Sequence, residues 1–207
     1  MASISNTHNC PFIHNSSLDG FNFAHINPGS LAKNIDSVRD LLIGNNLHAF
    51  AVSETWFHDK VNSGLVAIPG FELIRQDRTI KRGGGVAIYL KSGIAFRLLH
   101  KSHHNANAEF LFIEIDNKAG VKFAFGAVYN PPGNSRLDPL LKCLTSLANE
   151  YDDCIFTGDF NINLLLSTPP VLRFKNFLHS INLSCPLSSP TNFVPNCQPS
   201  LIDLILT

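Results

Sequence analysis

Residues 152–163 read DDCIFTGDFNIN. An apolar run, Cys154-Ile155-Phe156, leads through Thr157 and Gly158 into Asp159, Phe160 and Asn161. Such a run ending on a glycine and polar residues has the form of a buried strand that stops at the rim of a core. Read as extended chain, Asp159 and Asn161 lie two residues apart and project from one face, while Phe160 anchors the other. A carboxylate paired with a carboxamide at a strand end can accept a proton while its neighbour orients the donor. The same four residues, Gly158 to Asn161, also read as an Asx-turn that closes the strand. On this stretch alone both readings stand.

Working outward, FNFAHI (21–26), AFAVS (49–53), GGGVAIYL (83–90), EFLFIEI (109–115), VKFAFGAVY (121–129) and LIDLIL (201–206) read as further strands. Leu31, Ile35, Val38 and Leu42 recur at helical spacing with Gly44 as a stop, and Leu137–Asn149 and residues 170–180 form two more helical patterns. Strands outnumber helices and several are spaced like hairpins. That predicts a mixed sheet or a sheet sandwich with helices outside, not a purely parallel wound sheet. Residues 1–20, rich in Asn, Ser and His, read as a disordered leader, and residues 21–207 as the domain.

Composition narrows the function classes. Of 207 residues 44% are hydrophobic and 15% charged, with a formal net charge of zero, so no global field announces a polyanionic partner. Residues 71–101, read as loop-rich, are the exception: Arg75, Arg78, Lys81, Arg82, Lys91, Arg97 and Lys101 face only Glu72 and Asp77. This excess suits a phosphate backbone or a solvated face. The five cysteines show no C-x-x-C pair, which argues against a disulfide framework or a zinc site. No run approaches the roughly 20 apolar residues of a membrane span, and the N-terminal stretch lacks the apolar core of a signal peptide. A reducing, intracellular compartment is expected. The glycines at 83–85 precede a strand, and no Lys-Ser/Thr follows them, so they are not a P-loop. No G-x-S-x-G elbow is present.

The predicted strands end on polar residues: Asn27, Glu54, Tyr129 and the Asp159/Asn161 pair. Clustered strand ends are how α/β scaffolds build sites. Glu54, alone after a buried strand, is a candidate ligand for a hard cation, since Mg²⁺ takes one or two carboxylates plus phosphate oxygens and water; it also reads as a solvated acid beside a helix start.

Taken in order, Asn27, SETW (53–56), GGGVAIYL (83–90), YNPP (129–132), GDFN (158–161), Thr191 and SLIDLIL (200–206) resemble the endonuclease/exonuclease/phosphatase superfamily. Within it the sequence is most similar to the apurinic-type endonuclease domain of jockey-like non-LTR retrotransposons. The resemblance implies an α/β chain of the α+β type: a two-sheet β-sandwich flanked by helices on both outer faces. It implies that Glu54, supported by Asn27, binds Mg²⁺ (or Mn²⁺), and that Asp159 activates the attacking water with help from Asn161. Tyr129 would donate to the charged phosphate, and Asp203 would hold a histidine. Thr191 and Ser200 would lie along the DNA-contact surface, joined by Arg78, Lys81 and Arg82 of the basic stretch. The family's Ser-Asp-His motif would follow Asp203 on a further strand that these residues do not include, so the last strand is expected to be missing and the domain C-terminally incomplete. Pro132 stands where the apurinic-type enzymes often carry Asn.

The expected function is therefore a metal-dependent endonuclease that nicks double-stranded DNA for retrotransposition, with a reverse transcriptase following in the same polyprotein and action in nucleus and cytoplasm. A non-catalytic remnant with DNA or protein binding at most, and a phosphoesterase acting on inositol or lipid phosphates, are the alternatives.

Overall fold

The computed structural model describes residues 14–15, 20–58, 60–79, 82–103, 106–116 and 120–207. Two five-stranded sheets pack face to face. The first contains β1 (His14–Asn15), β2 (Asn22–Ile26), β3 (Ala49–Ser53), β4 (Phe71–Gln76) and β5 (Val86–Lys91), in the order β1-β2-β3-β5-β4. The second contains β6 (Ala95–Lys101), β7 (Glu109–Asp116), β8 (Lys122–Tyr129), β9 (Cys154–Asp159) and β10 (Asp203–Leu206), in the order β10-β9-β8-β7-β6. This is the sandwich with outer helices that the resemblance implied.

Each sheet carries one parallel pair. β2 and β3 are joined by α1 (Ile35–Gly44), and β8 and β9 by α2 (Asp138–Glu150); the other pairings are antiparallel. A parallel connection needs a crossover, and an amphipathic helix supplies one while covering the outer face. α1 buries Val38 and Leu42, one turn apart, against Phe50, Val52, Ala87 and Tyr89. α2 and α3 (Pro169–Ser180) bury Leu140, Leu144, Leu147, Val171, Phe174 and Leu178 on the second sheet. Pro139 at the start of α2, and Pro169 and Pro170 at the start of α3, occupy the first turn, where a missing N–H costs nothing.

The inner faces meet in a dry layer of Phe21, Phe23, Ala49, Ala51, Ile88, Ile113, Phe123, Phe125, Ile155 and Ile205. Phe21 and Phe23 set their rings edge-on against Phe125 across the layer, a geometry aromatic pairs favour. Burying each such side chain is worth about 1.5–3 kcal/mol, so this layer fixes how the two sheets face one another.

Two expectations need correction. Residues 71–101 are not loop-rich: they hold β4, β5 and β6. The predicted strand at 83–90 begins only at Val86, because Gly83, Gly84 and Gly85 all take φ between +71° and +84°, which only glycine adopts freely. Of the expected leader, the described residues include His14–Asn15, whose backbone pairs with Phe23 and Asn22, and Gly20; the rest lies outside them.

Candidate active site

At one end of the sandwich the dry inner layer gives way to polar side chains: His25, Ser53, Tyr129, Asp159 and Asp203 sit on strand ends there, all buried. It is the end where both parallel pairs finish, as in open α/β sheets, where sites form beyond the carboxyl ends of strands.

Asp159 is the best-connected of these. Its Oδ2 accepts from Asn27 Nδ2 at 3.0 Å, across the gap between the sheets, and its Oδ1 accepts from the Asn161 amide at 3.0 Å. That second bond is an Asx-turn: β9 stops at Asp159, and Asn161 turns into the left-handed region at φ +49°. The two side chains therefore do not project side by side from extended chain. The turn and the polar cluster are one object. Burial, foremost, raises the Asp159 carboxyl to about 6; its two hydrogen-bond donors oppose the rise, and the charge of Glu54 adds to it. A carboxyl held there is suited to proton transfer near neutrality.

The glycine before it is obligatory. Gly158 adopts φ +157°, and a methyl there would overlap the Val128 carbonyl oxygen on β8 and lie 2.7 Å from its carbon. Gly158 lets β9 run close against β8 up to the site. Asn130, just past β8, laces the two strand ends: its N–H donates to the Asp159 carbonyl at 2.8 Å and its Nδ2 to the Phe160 carbonyl at 2.8 Å. In return its own carbonyl accepts from Asn161 Nδ2 at 2.7 Å. Asn161 is thus fastened at both ends. Nothing in the sequence reading singled out Asn130; its signal was adjacency to Tyr129 ahead of a Pro-Pro-Gly turn.

Glu54 follows β3 at φ +53°, and Trp56 sits at φ +57°. Two non-glycine residues in this region, one of them bulky, mark a strained turn. It is held by docking on the glycine run: Thr55 N–H donates to the Gly85 carbonyl at 3.2 Å and Trp56 N–H to the Gly84 carbonyl at 2.8 Å. The Trp56 indole N–H donates to Glu54 Oε2 at 2.8 Å. Tyr129 reaches the same carboxylate from the opposite sheet, and its phenol is pushed well up by burial first, then by the charge and hydrogen bond of Glu54, then by Asp159. A phenol so held is fully protonated at neutral pH and can donate.

Asn27, Glu54, Tyr129, Asp159 and Asn161 are thus brought together. The donor set suits a hard divalent ion: Glu54 and Asp159 offer only oxygen and lie close enough for the charge of Glu54 to raise Asp159, while Asn27 turns its Nδ2 to Asp159. Among the described residues no group of three or more His, Cys, Asp and Glu is placed to hold a metal ion, and an Mg²⁺-type site, with one or two carboxylates, does not need one. Asn27 Oδ1 already accepts from Gly29 N at 3.1 Å, so its strongest tie here is to Asp159.

The remaining predicted residues divide. Asp203 lies directly across from Asp159 in the β9–β10 register. Burial, then the Asp159 charge, lifts it to about 7, against hydrogen bonds from Thr191 and its own amide. A histidine does stand beside it: His25 Nδ1 is 3.7 Å from Asp203 Oδ1, and His25 Nε2 is 3.0 Å from Ser53 Oγ. Burial holds that imidazole down at about 3, so it is neutral and shut away from solvent. Thr191 is not on a contact surface: it is fully buried, and its hydroxyl oxygen accepts from Ile202 N at 3.2 Å and Asp203 N at 3.0 Å. Half-buried Ser200 pairs through its backbone with Asn192.

The basic stretch is largely spoken for. Arg78 is in an ion pair with buried Glu109 and lies over the Tyr129 ring at 5.6 Å, a positioning contact for the site wall. Glu109 also accepts from Gly85 N at 2.6 Å. Arg75 is bound to Asp77 and to the carbonyls of His58 and Val61, and Arg97 to Glu114. Lys91 donates to Asn46 and Lys101 to the Arg75 carbonyl. Arg82 remains exposed, and Lys81 lies outside the described residues.

The polar cluster shared by the two sheets thus holds paired carboxylates and a buried phenol, with Ser53 and His25 bonded to each other beside Asp203. The chain belongs to the Endonuclease/Exonuclease/phosphatase family, whose model matches residues 18–207. Members of that family are hydrolytic nucleases and phosphatases, and its nucleases generally use divalent metals. Among solved structures, the chain is similar to an AP endonuclease from Leishmania major, with TM-score 0.73 and 15% identity over 96% of this chain and 84% of that one. It is also similar to the endonuclease domain of TRAS1, a telomere-specific non-LTR retrotransposon, with TM-score 0.68 and 12% identity over 95% and 84%. A third is a 3′ phosphatase from Neisseria bound to product DNA hairpin, with TM-score 0.65 and 17% identity over 89% and 85%. No curated protein sequence matches the chain.

Proposed function

We propose that this chain is the DNA-nicking domain of a non-LTR retrotransposon, a divalent-metal-dependent endonuclease that leaves a 3′-hydroxyl for priming. The observation that carries the reading is the meeting of Glu54 and Asp159, from different sheets, with Tyr129 and two asparagines around them.

In this reading Asp159 takes a proton from the water that attacks phosphorus in line. Asn27 and the Asn161 amide, one on each carboxylate oxygen, keep it pointed at that water. The Tyr129 phenol donates to a phosphoryl oxygen as charge gathers on it, a contribution of several kcal/mol when preorganised in a dry site. Held chiefly by Glu54, a divalent cation would supply Lewis-acid neutralisation of that charge. The P–O3′ bond breaks, giving a 3′-hydroxyl and a 5′-phosphate. Exposed Arg82 contributes DNA attraction, the following polyprotein the reverse transcriptase, and the nucleus the target.

The test is nicking of supercoiled plasmid with Mg²⁺ by this chain, by Asp159→Ala, and by a version extended through a Ser-Asp-His segment. Nicking that needs Asp159, in either length of chain, supports the proposal. Plasmid left intact by both lengths, or cut equally well after Asp159→Ala, overturns it.

A further inference from the structure

Lys33 and Arg82 differ from Arg75 and Arg78. Both are exposed, and among the described residues neither forms an ion pair, whereas Arg75 and Arg78 are each paired with an acid. They come from separate segments, the connection from β2 to α1 and the one from β4 to β5, yet converge on one side chain. Lys33 Nζ lies 6.0 Å from the centre of the Trp56 ring system and Arg82 Cζ 5.6 Å. Trp56 is the residue whose indole N–H holds Glu54. Trp56 is half-buried, and an exposed cation resting on its ring is held only weakly. The contact positions the charge without neutralising it. An acid would have cancelled both charges; an indole presents them.

We infer that Lys33 and Arg82 form a phosphate-binding pair on the rim of the site, gripping backbone phosphates of nucleic acid beside the one that is cut, with Trp56 aligning that grip to Glu54. This rests on the nuclease reading above and extends it to Lys33, which belongs to none of the motifs read along the chain. The strained turn at Glu54 and Trp56, clamped on the glycine run, gives the ring one fixed position from which to do so.

Trp56 is the only tryptophan, so its fluorescence reports on the pair directly. In an Asp159→Asn background, which leaves duplex uncut, binding of a short duplex DNA would be followed against salt by anisotropy and by tryptophan emission. Removing two phosphate contacts should lower the slope of log K against log salt by about 0.9 for each. The advantage of the background over Lys33→Gln/Arg82→Gln should then shrink roughly tenfold between about 0.05 and 0.2 M salt. Duplex should change the tryptophan emission of the background and leave that of the double variant unmoved. Lys142→Gln/Lys175→Gln, exposed on α2 and α3 over the other sheet, should keep the parental slope. A parent that binds duplex, with the same slope and emission response after the double substitution, overturns this inference alone. Failure of the parent to bind duplex at all overturns it together with the nuclease reading. Plasmid left uncut by the wild-type chain, alongside a double variant that behaves as expected in binding, counts against the nuclease reading alone.

Discussion

Asp203 should make the metal-free protein less stable as pH rises, and Asp203→Asn should remove that effect. The carboxyl moves from an ordinary 3.8 to about 7 on folding, chiefly through burial. Below about pH 4 it is protonated in both states, and its contribution is fully present. Between there and about pH 7 the unfolded chain gives up the proton and the folded chain keeps it, so the unfolded state binds fewer protons and stability falls. The slope approaches 1.36 kcal/mol per pH unit, and over this interval the loss is on the order of 4 kcal/mol. His25 acts with the opposite sign over about pH 3 to 6.5, being held neutral while the unfolded imidazole protonates. Burial alone causes its shift, so that contribution is common to parent and variant and drops out of their difference. Urea unfolding in EDTA should therefore show the two proteins close in stability near pH 4. By pH 8 the variant should lead by up to about 4 kcal/mol, or about 10 °C in melting temperature for a chain of this size. A difference that stays constant from pH 4 to pH 8 would refute the assignment of a neutral, buried Asp203.

Three further outcomes are expected. Thr191→Val keeps the shape but strips the acceptor from two backbone N–H groups, and should cost about 2–4 kcal/mol by denaturant unfolding; a loss below about 1 kcal/mol would mean those groups find water. Gly158→Ala should abolish soluble folded protein, because its methyl has nowhere to go but into β8, whereas Gly44→Ala, with nothing within 4 Å, should fold normally; circular dichroism separates the two. Glu114 is held down at about 2 by hydrogen bonds from Arg97 and then Tyr151. Its stabilisation is thus present above about pH 4.5 and lost as pH falls toward 2, so a melting-temperature gap between parent and Glu114→Gln should close over that window. A gap that persists at pH 2 would contradict this.

What could be read in the sequence follows from where the signal is local. Interior strands announce themselves as continuous apolar runs, and β3, β7, β8 and β9 were all legible for that reason. β4 and β6 were missed because they are sheet edges: FELIRQ and AFRLLHK carry charge, β4 leaves most of its residues half-buried and β6 exposes most of its own, as edges do to avoid pairing with other chains. The members of the polar cluster were legible as strand ends, but their relations were not. Asn27 and Asp159 are 132 residues apart in the chain, and no pattern within one strand predicts a bond to another sheet. Arg78 was legible only as a charge; the acid that claims it, Glu109, begins a strand 31 residues later. Thr191 was placed on the contact surface by the resemblance, which carries no information on the two backbone N–H groups, of Ile202 and Asp203, that its buried hydroxyl accepts from.

The dry layer between the sheets has a consequence for how such a site can change over time. Glu54 and Asn27 ride on one sheet, Tyr129, Asp159 and Asn161 on the other, and the apolar side chains between act as the spacer that sets their separation. Trading Phe23 or Phe125 for a smaller residue would let the sheets close and shift the two carboxylates relative to each other without altering any polar group. The spacing of the polar cluster is thus adjustable by a dial located in the most hydrophobic part of this architecture, one that a lineage can turn while every polar residue of the cluster stays as it is.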